Sequence, residues 1–185
     1  MNFIYSGKYK RNKLNLKNNI NKLKNYKPTP IYIKKRLFNW LKIDLTNFIC
    51  LDAFSCSGLL GFEIASKGCR LSILLEKNKI LFLNLLKNKN RLNMKNIKIF
   101  NCNFFKYIKY YNRYYYDLVF IDSPYIKLNF LKKSLILISK YLKKGSLIYL
   151  ETIFNFNFLK IDFLNLKILK NDFFNKINFF LIKVL

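Results

Sequence analysis

The sequence contains no histidine, and this absence excludes several kinds of catalytic site. Without a histidine among its 185 residues, the chain cannot use Ser-His or Cys-His nucleophilic catalysis. The four cysteines are scattered without the close paired spacing of a zinc site, so we predict no bound metal and a reducing compartment. They are Cys50, Cys56, Cys69 and Cys102.

Apolar runs long enough to span a membrane are also missing, although 52% of the residues are hydrophobic. Polar residues interrupt runs such as 81–90 and 148–159 within a few positions. Residues 1–13 lack the apolar stretch and small-residue cleavage site of a secretory signal. We therefore predict a cytoplasmic protein without a membrane partner, built as one domain with a small appendage.

Acidic residues are scarce, with nine Asp plus Glu against 35 Lys plus Arg, which gives a net charge of +26. This excess predicts a polyanionic partner, because the release of phosphate counterions favours binding without sequence readout. No acidic residue precedes Asp44, so the basic excess is concentrated near the N-terminus, which favours nucleic acid. A membrane surface would attract the same charge, and a coding bias toward lysine would also produce it.

Four of these acids end short apolar runs. Asp52, Glu76, Asp122 and Glu151 close the runs FICLD, LSILLE, LVFID and SLIYLE. In an open α/β sheet, the carboxyl ends of the strands form the ligand-binding edge. We therefore expect negative charge beside a ligand that carries cationic or hydrogen-donating groups.

From residue 48 onward, buried-strand patterns alternate with helical patterns. The strands are predicted at 48–51, 71–75, 97–100, 118–121 and 147–150, and the helices at 59–67, 78–92, 104–109 and 129–142. Apolar runs near 164–169 and 178–184 predict a terminal antiparallel pair. This alternation indicates an α/β fold with a mostly parallel, seven-stranded sheet and helices on both faces.

The first 26 residues predict a basic hairpin or arm laid on phosphates, with a solvated tail as the alternative. Candidate RNA contacts are Lys8, Lys10, Arg11, Lys13 and Lys27. A helix is then predicted, with Thr29 as its cap and Pro30 at its first helical position. Its apolar face, which we interpret as core, consists of Ile33, Leu37, Trp40 and Leu41. Three basic residues are predicted to lie mostly off that face: Lys34, Lys35 and Arg36.

A loop of small residues, 52–58, joins the first strand to the next helix. Ser57 and Gly58 open that helix, where a ligand can approach the backbone amides. Glu76 ends the second strand and can accept both hydroxyls of an adenosine ribose, or alternatively serve as a favourable charge before the next helix. Asp52 would repel a pyrophosphate but suits an ammonium or sulfonium group, which favours S-adenosylmethionine over NAD or ATP.

The stretch Asp122-Ser-Pro-Tyr125 follows the fourth strand and can hold an exocyclic amine. The side chain of Asp122 can accept one N–H and the carbonyl of Ser123 the other, which aims the nitrogen lone pair. Pro124 restricts the turn. Tyr125 can stack on an extruded base, a contact worth roughly 1–3 kcal/mol. The alternative, an ordinary strand with a proline turn, is weakened by the acids at the neighbouring strand ends.

Residues 52–61, DAFSCSGLLG, resemble the D-x-F-A-G-S-G-x-x-G loop of the RsmD family, bacterial 16S ribosomal RNA guanine-N2 methyltransferases. Residues 122–125 resemble the D-P-P-[FY] motif of that family. Residues 27–29 and 37–41 resemble its R-P-T followed by L-F-N-W-L, and residues 7–14 resemble its basic N-terminal hairpin. In this order the similarity covers nearly the whole chain.

The resemblance implies a class I methyltransferase fold with S-adenosylmethionine as donor. It also implies methylation of the 2-amino group of one guanine in 16S rRNA, with a partly assembled small subunit as partner, and a monomer. Residues 1–45 would be the RNA-contacting extension and residues 46–185 the methyltransferase domain. Cofactor-binding candidates are Asp52, Phe54, Ser57, Gly58, Glu76 and Asn103, the last at a position that often faces the adenine. Catalytic candidates are Asp122, Ser123, Pro124 and Tyr125.

Three residues depart from the family pattern. Cys56 replaces a glycine and adds a side chain beside the cofactor, which would weaken binding. Ser123 replaces the first proline but retains the backbone carbonyl, and Lys35 replaces a glutamate in the N-terminal helix. Two other functions stay open: a DNA adenine-N6 methyltransferase, disfavoured because the chain has no obvious target-recognition domain, and a catalytically weakened assembly factor that binds rRNA.

Overall fold

A computed structural model describes residues 3–16, 30–122, 127–159 and 165–185. Its centre is a seven-stranded sheet with the strand order β3-β2-β1-β4-β5-β7-β6. The strands are β1 (Ile49–Asp52), β2 (Leu71–Leu75), β3 (Ile97–Phe100), β4 (Tyr116–Asp122), β5 (Leu142–Thr152), β6 (Leu166–Phe174) and β7 (Ile177–Val184). The first five pair in parallel, and β7 pairs antiparallel with β5 and β6. The predicted sheet, with its antiparallel terminal pair, is confirmed.

Helices cover both faces of the sheet, as predicted. They are α1 (Ile31–Trp40), α2 (Leu59–Ser66), α3 (Lys79–Arg91), α4 (Phe104–Tyr110) and α5 (Leu128–Ser139), and a short 3-10 helix spans Phe156–Leu159. Apolar residues of α1, α2 and α3 form one buried cluster with the sheet, and those of α4 and α5 form another on the opposite face. Within the described ranges, we find no helix long and apolar enough to cross a membrane.

Parallel pairing brings the carboxyl ends of the central strands to one edge of the sheet. Asp52 on β1 pairs with Phe120 on β4, and Asp122 on β4 pairs with Glu151 on β5. Residues paired across parallel strands project on the same face. The acids that end these strands therefore lie on the face covered by α1 and α2.

Strand β5 begins earlier than predicted, because residues 142–146 belong to it and do not form a turn before it. Its pairing with β4 shifts register after Tyr116, as in a β-bulge, and Gly145 has a positive φ of 90°. An extra residue in a bulge commonly adopts this left-handed conformation, which glycine tolerates without strain. Strand β6 is also longer than predicted and continues to Phe174.

Helix α1 confirms the predicted core face but corrects two details. Ile33 and Leu37 are buried, and the ring of Trp40 stacks on Phe179 with centroids 5.3 Å apart. Pro30 occupies the N-cap and not the first helical position, and Thr29 lies outside the described residues. Lys34 was predicted to lie off the apolar face, which is wrong. Its side chain is 3% exposed, because it lies one turn before the buried Phe38, on the face turned toward the sheet.

The predicted N-terminal hairpin is present in residues 3–16, so the alternative of a solvated tail is wrong for these residues. Phe3 and Lys13 form an antiparallel bridge, and the Ile4 amide donates to the carbonyl of Asn12 at 3.0 Å. Ile4 and Leu14 are buried in the same cluster as α1 and α2. The charged side chains of this hairpin are exposed: Lys8, Lys10, Arg11 and Lys13.

Candidate cofactor and active site

The end of β1 places a buried carboxyl group at the start of the loop of small residues. Asp52 accepts a hydrogen bond of 3.1 Å from the amide of Gly61 in α2. Burial, followed by the charge of Asp122, raises the pKa of Asp52 to about 7. The charge of Glu76 also raises the pKa of Asp52. Of the three acids predicted to line one site, Asp52 is therefore close enough to Asp122 and to Glu76 to be repelled by both.

Two backbone amides of the loop after β1 donate hydrogen bonds to the end of β2. The amide of Ser55 donates to the carbonyl of Leu75 at 3.0 Å, and the amide of Cys56 donates to Glu76 at 2.9 Å. Cys56 has a positive φ of 49°, which explains the glycine at this position in the RsmD pattern. Burial, followed by the charge of Glu76, raises the pKa of the Cys56 thiol to about 12. The thiol therefore stays protonated at neutral pH.

Gly58 is required by packing inside the protein. It is the N-cap of α2 with a φ of 79°, and a Cβ there would lie 2.4 Å from Leu85 and 2.9 Å from Phe62. The close neighbour is thus helix α3, and an approaching ligand is not needed to explain this glycine. The adjacent Ser57 is buried in the same loop. Cofactor contacts by Ser57 and Gly58 stay predictions.

Glu76 is buried beyond the end of β2 and accepts two backbone amides. Cys56 donates to one carboxylate oxygen at 2.9 Å, and Asn78 donates to the other at 2.7 Å. Burial raises the pKa of Glu76, and these hydrogen bonds oppose that rise. A carboxylate has about four lone-pair positions, so Glu76 can still accept ribose hydroxyls. It thus serves both the loop and the start of α3, where Asn78 is the N-cap.

Two other cofactor candidates have structural roles. Asn103 is exposed and caps α4 by accepting the amide of Lys106 at 2.8 Å. Phe54 packs between the rings of Phe104 and Phe130, each with centroids 5.8 Å away. Asn101, which the sequence reasoning missed, donates to the carbonyl of Glu76 at 2.8 Å and joins the ends of β2 and β3. Cofactor contacts by Asn103 and Phe54 stay predictions.

Asp122 is the last residue of β4 and the one catalytic candidate that the structure describes. Ser123, Pro124 and Tyr125 lie outside the described residues, as does the candidate RNA contact Lys27. The side chain of Asp122 is half-buried, and its charge acts on Asp52 and on Cys56. Asp122 therefore stands at the same edge as the predicted cofactor loop.

Sequence reasoning missed two groups beside Asp122. Glu151, at its paired position on β5, was recognised as a strand-end acid but given no role. Lys34 of α1 is buried, and its charge interacts with those of Asp122 and Glu151. The helical spacing between Lys34 and the apolar Phe38 was the available signal for the burial of Lys34.

Comparison with known proteins identifies the family. The family model described as conserved hypothetical protein 95 matches residues 3–183. The ribosomal RNA small subunit methyltransferase D of Buchnera aphidicola is 39% identical over 151 residues, which cover 80% of this chain and 76% of that protein. The chain belongs to the RsmD family.

Solved structures share the fold of this RsmD-family chain. A structure from Escherichia coli that carries the name methyltransferase has a TM-score of 0.79 and 22% identity, covering 98% of this chain and 97% of that one. A structure from Streptococcus mutans, also named a methyltransferase, is in complex with S-adenosylhomocysteine. It has a TM-score of 0.64 and 12% identity, covering 86% of this chain and 100% of that one. The predicted class I methyltransferase fold is confirmed.

Proposed function

We propose that this protein transfers the methyl group of S-adenosylmethionine to the 2-amino group of a guanine in 16S rRNA of the small ribosomal subunit. The observation that carries the proposal is the position of Asp122, beside Asp52 at the carboxyl ends of β4 and β1, in a chain of the RsmD family. Its relative from Buchnera aphidicola bears the name of a small-subunit rRNA methyltransferase.

The residues at this edge suit S-adenosylmethionine. When bound, it supplies a methyl group activated by a sulfonium. Asp52 and Glu76 offer carboxyl groups to a ligand that carries positive charge and ribose hydroxyls. The raised pKa of Asp52 fits this use, because a nearby cation favours the ionised form and would lower that pKa.

Asp122 orients the guanine amine. Its carboxylate accepts one amino hydrogen, and the carbonyl of Ser123, outside the described residues, is expected to accept the other. With both hydrogens held, the nitrogen lone pair points toward the methyl group. Alignment of reacting groups lowers a barrier by up to roughly 7–11 kcal/mol, so this site needs no strongly basic side chain.

The N-terminal hairpin supplies the contact with RNA. Lys8, Lys10, Arg11 and Lys13 are exposed on a hairpin that is docked against α2. A fixed array of cations binds phosphates without reading sequence. The proposed partner is 16S rRNA in a partly assembled small subunit. We further propose that the protein acts as a monomer. Its place of action is the cytoplasm, where that substrate is found.

Transfer of labelled methyl groups to unmethylated small-subunit particles tests the proposal. We expect the wild type to label 16S rRNA and Asp122→Ala to lower the rate by about 100-fold or more. Asp117→Ala is the matched control, because Asp117 lies on the same strand and accepts the amide of Ile49 at 2.8 Å at the opposite end. Absence of transfer to any RNA by the wild type would refute the assignment.

Two further measurements test the alternative functions, a DNA methyltransferase and an assembly factor. Preferential labelling of adenine in DNA, in direct competition with small-subunit particles, would identify a DNA methyltransferase. Retained rRNA affinity without S-adenosylmethionine binding in calorimetry would identify an assembly factor.

A further inference from the structure

Asp122 has a second carboxyl group as its direct neighbour. Asp122 and Glu151 occupy paired positions on the parallel strands β4 and β5, so their side chains project side by side from the same face of the sheet. The preceding pair on the same face, Phe120 and Tyr149, makes an edge contact with ring centroids 6.1 Å apart. The hydroxyl of Tyr149 donates to Oε1 of Glu151 at 2.7 Å, which fixes the glutamate from its other side.

A hydrogen bond between two carboxyl groups requires one proton. Ionised carboxylates only accept hydrogen bonds, and two of them side by side repel each other, so the paired positions favour one protonated member that donates to the other. Glu151 is buried, whereas Asp122 is half-buried, so the charge is better solvated on Asp122. Burial, followed by the charge of Asp122, raises the pKa of Glu151 well above its usual value. The proton therefore belongs on Glu151.

One cation faces this pair from the N-terminal part of the chain. Lys34 projects from α1 into the buried cluster on this face of the sheet and is 3% exposed. Burial lowers the pKa of Lys34 to about 8, and the charges of Asp122, Glu151 and Glu63 oppose that fall. Lys34 is thus a buried cation, on the helix that covers this face of the sheet, whose charge acts on both carboxyl groups of the pair.

The described groups that act on Glu151 come from three elements. Asp122 belongs to β4, Tyr149 to β5 itself and Lys34 to α1. On β7, the residue paired with Glu151 is the uncharged Phe179. Asp52 on β1 acts on the pair indirectly, since it interacts with Asp122.

We propose that Glu151 is a positioning residue, which in its protonated form donates a hydrogen bond that orients the carboxylate of Asp122, with Lys34 as the balancing cation. The inference rests on the proposed function only for the identity of the substrate group that donates a hydrogen bond to Asp122. Helix α1 then forms part of the active site, because it carries Lys34, the cation that stabilises the charge of Asp122.

The protonation of Glu151 can be measured without any substrate. The chain has three glutamates, Glu63, Glu76 and Glu151, so labelling with carboxyl-13C glutamate gives three resonances, and Glu151→Gln assigns the one of interest. We expect the Glu151 carboxyl to be protonated at pH 7. Asp122→Asn should move its titration to lower pH and Lys34→Met to higher pH, while the exposed control Asp44→Asn leaves it unchanged. An ordinary glutamate titration, or one insensitive to Asp122→Asn and Lys34→Met, would overturn the proposal.

Kinetics then test whether the donated hydrogen bond matters. Glu151→Gln retains an N–H donor toward Asp122 and an acceptor for Tyr149, so we expect a kcat within a few-fold of the wild type. Glu151→Leu removes the donor and should lower kcat by up to about 100-fold with little change in KM for S-adenosylmethionine. Equal losses in both variants would mean that Glu151 acts as an anion, against the proposal. If Glu151→Leu fails to fold, Tyr149→Phe takes its place, with a smaller loss of kcat expected.

The two experiments separate the two ideas. A wild type that transfers no methyl group refutes the proposed function, while the carboxyl titration still decides the state of Glu151. An ordinary titration of Glu151 in an active enzyme refutes this inference alone.

Discussion

The amide of Cys56 donates a hydrogen bond of 2.9 Å to the carboxylate of Glu76, which joins the loop after β1 to the end of β2. Cys56 makes this bond from a left-handed conformation, with a φ of 49°. A residue with a Cβ loses about 1–2 kcal/mol in that region, whereas glycine does not. The chain thus keeps the geometry of the loop at the expense of local strain.

Cys56→Gly should therefore stabilise the protein. We expect the free energy of unfolding to rise by about 0.5–1 kcal/mol, since part of the relieved strain is offset by the greater freedom of glycine in the unfolded chain. S-adenosylmethionine should also bind a few-fold more tightly, because a side chain beside the predicted cofactor site is removed. Urea unfolding and calorimetry measure the two effects. Cys56→Ala is the control, because it retains the Cβ, and equal stabilisation by alanine would show that strain is not the cause.

Glu76 should be essential for cofactor binding. Glu76→Ala removes the acceptor for the amides of Cys56 and Asn78 as well as the expected acceptor for the ribose. We expect at least about a tenfold loss of affinity for S-adenosylmethionine and a loss of about 1–3 kcal/mol in unfolding free energy. Asp44→Ala is the matched control, because Asp44 also accepts a backbone amide, from Thr46, but is exposed. Unchanged cofactor affinity in Glu76→Ala would contradict the assignment.

The strand-end acids could be predicted because a buried parallel strand has a local signature. An apolar run that ends in a carboxylate indicates both the strand and the edge that it reaches, which identified Asp52, Glu76 and Asp122 from the sequence. The pairing of Asp122 with Glu151 could not be predicted in this way, since strand order depends on contacts between distant parts of the chain. The reason for Gly58, contact with α3, is equally long-range.

Buried charges were the other features that the sequence did not reveal. Lys34 and Glu63 are both buried, although charged residues are rarely fully buried unless they are paired. Their partners come from elements remote in sequence: Tyr5 and Ser6 donate to Glu63, and the carboxyl groups on β4 and β5 face Lys34. Local patterns report the polarity of a residue but not its distant partner.

Asp52→Asn should stabilise the fold at neutral and alkaline pH. The pKa of Asp52 is raised from 3.8 to about 7, so its contribution to stability is complete below about pH 4 and is lost as the pH rises through 7. Asparagine has no charge to bury, and we expect a gain of about 1–3 kcal/mol at pH 8 and little gain at about pH 3.5, where the carboxyl group is protonated in most of the unfolded chains as well. Urea unfolding at the two pH values measures the difference. A gain of equal size at both would show that ionisation is not involved.

The same substitution should abolish the pH dependence of cofactor binding. In the wild type, affinity for S-adenosylmethionine should rise between about pH 6 and pH 7.5 as Asp52 ionises, because the carboxylate attracts the positively charged ligand. Asp52→Asn should bind more weakly and with a flat profile over this range. Calorimetric titrations across the range decide the point, and an equally steep profile in Asp52→Asn would assign the dependence to another group.

The basic hairpin should determine the salt dependence of RNA binding. Lys8→Ala combined with Lys10→Ala removes two exposed cations. We expect the slope of log K against log salt to fall by about 0.7 for each phosphate that the double variant no longer neutralises. The control removes two exposed lysines of β6, Lys167 and Lys170, at the other edge of the sheet. Equal slopes for the two double variants would indicate diffuse attraction without a specific role for the hairpin.

Docking of that hairpin depends on Gly7. A Cβ at Gly7 would lie 1.9 Å from the carbonyl oxygen of Ser66 in α2, so the chain can pass this point only as glycine. On either side, the amide of Lys8 donates to the Ser66 carbonyl at 2.8 Å and the hydroxyl of Ser6 donates to Glu63 at 2.6 Å. The amide of Tyr5 also donates to Glu63, so displacement of the hairpin would leave this fully buried carboxylate without the donors Tyr5 and Ser6.

Gly7→Ala should therefore destabilise the protein much more than Gly145→Ala. Both glycines have positive φ, 76° and 90°, but a Cβ at Gly145 would have no atom within 4 Å. Gly145→Ala should lower the free energy of unfolding by about 1 kcal/mol, the conformational cost of a Cβ at positive φ. Gly7→Ala should lower it by at least about 2 kcal/mol more, because the buried carboxylate of Glu63 loses its hydrogen-bond donors. Urea unfolding of the two variants measures the difference. Equal losses would mean that the hairpin contributes little to stability, whereas the expected gap would show that the surface proposed to meet RNA is held in place by a buried acid of the methyltransferase core.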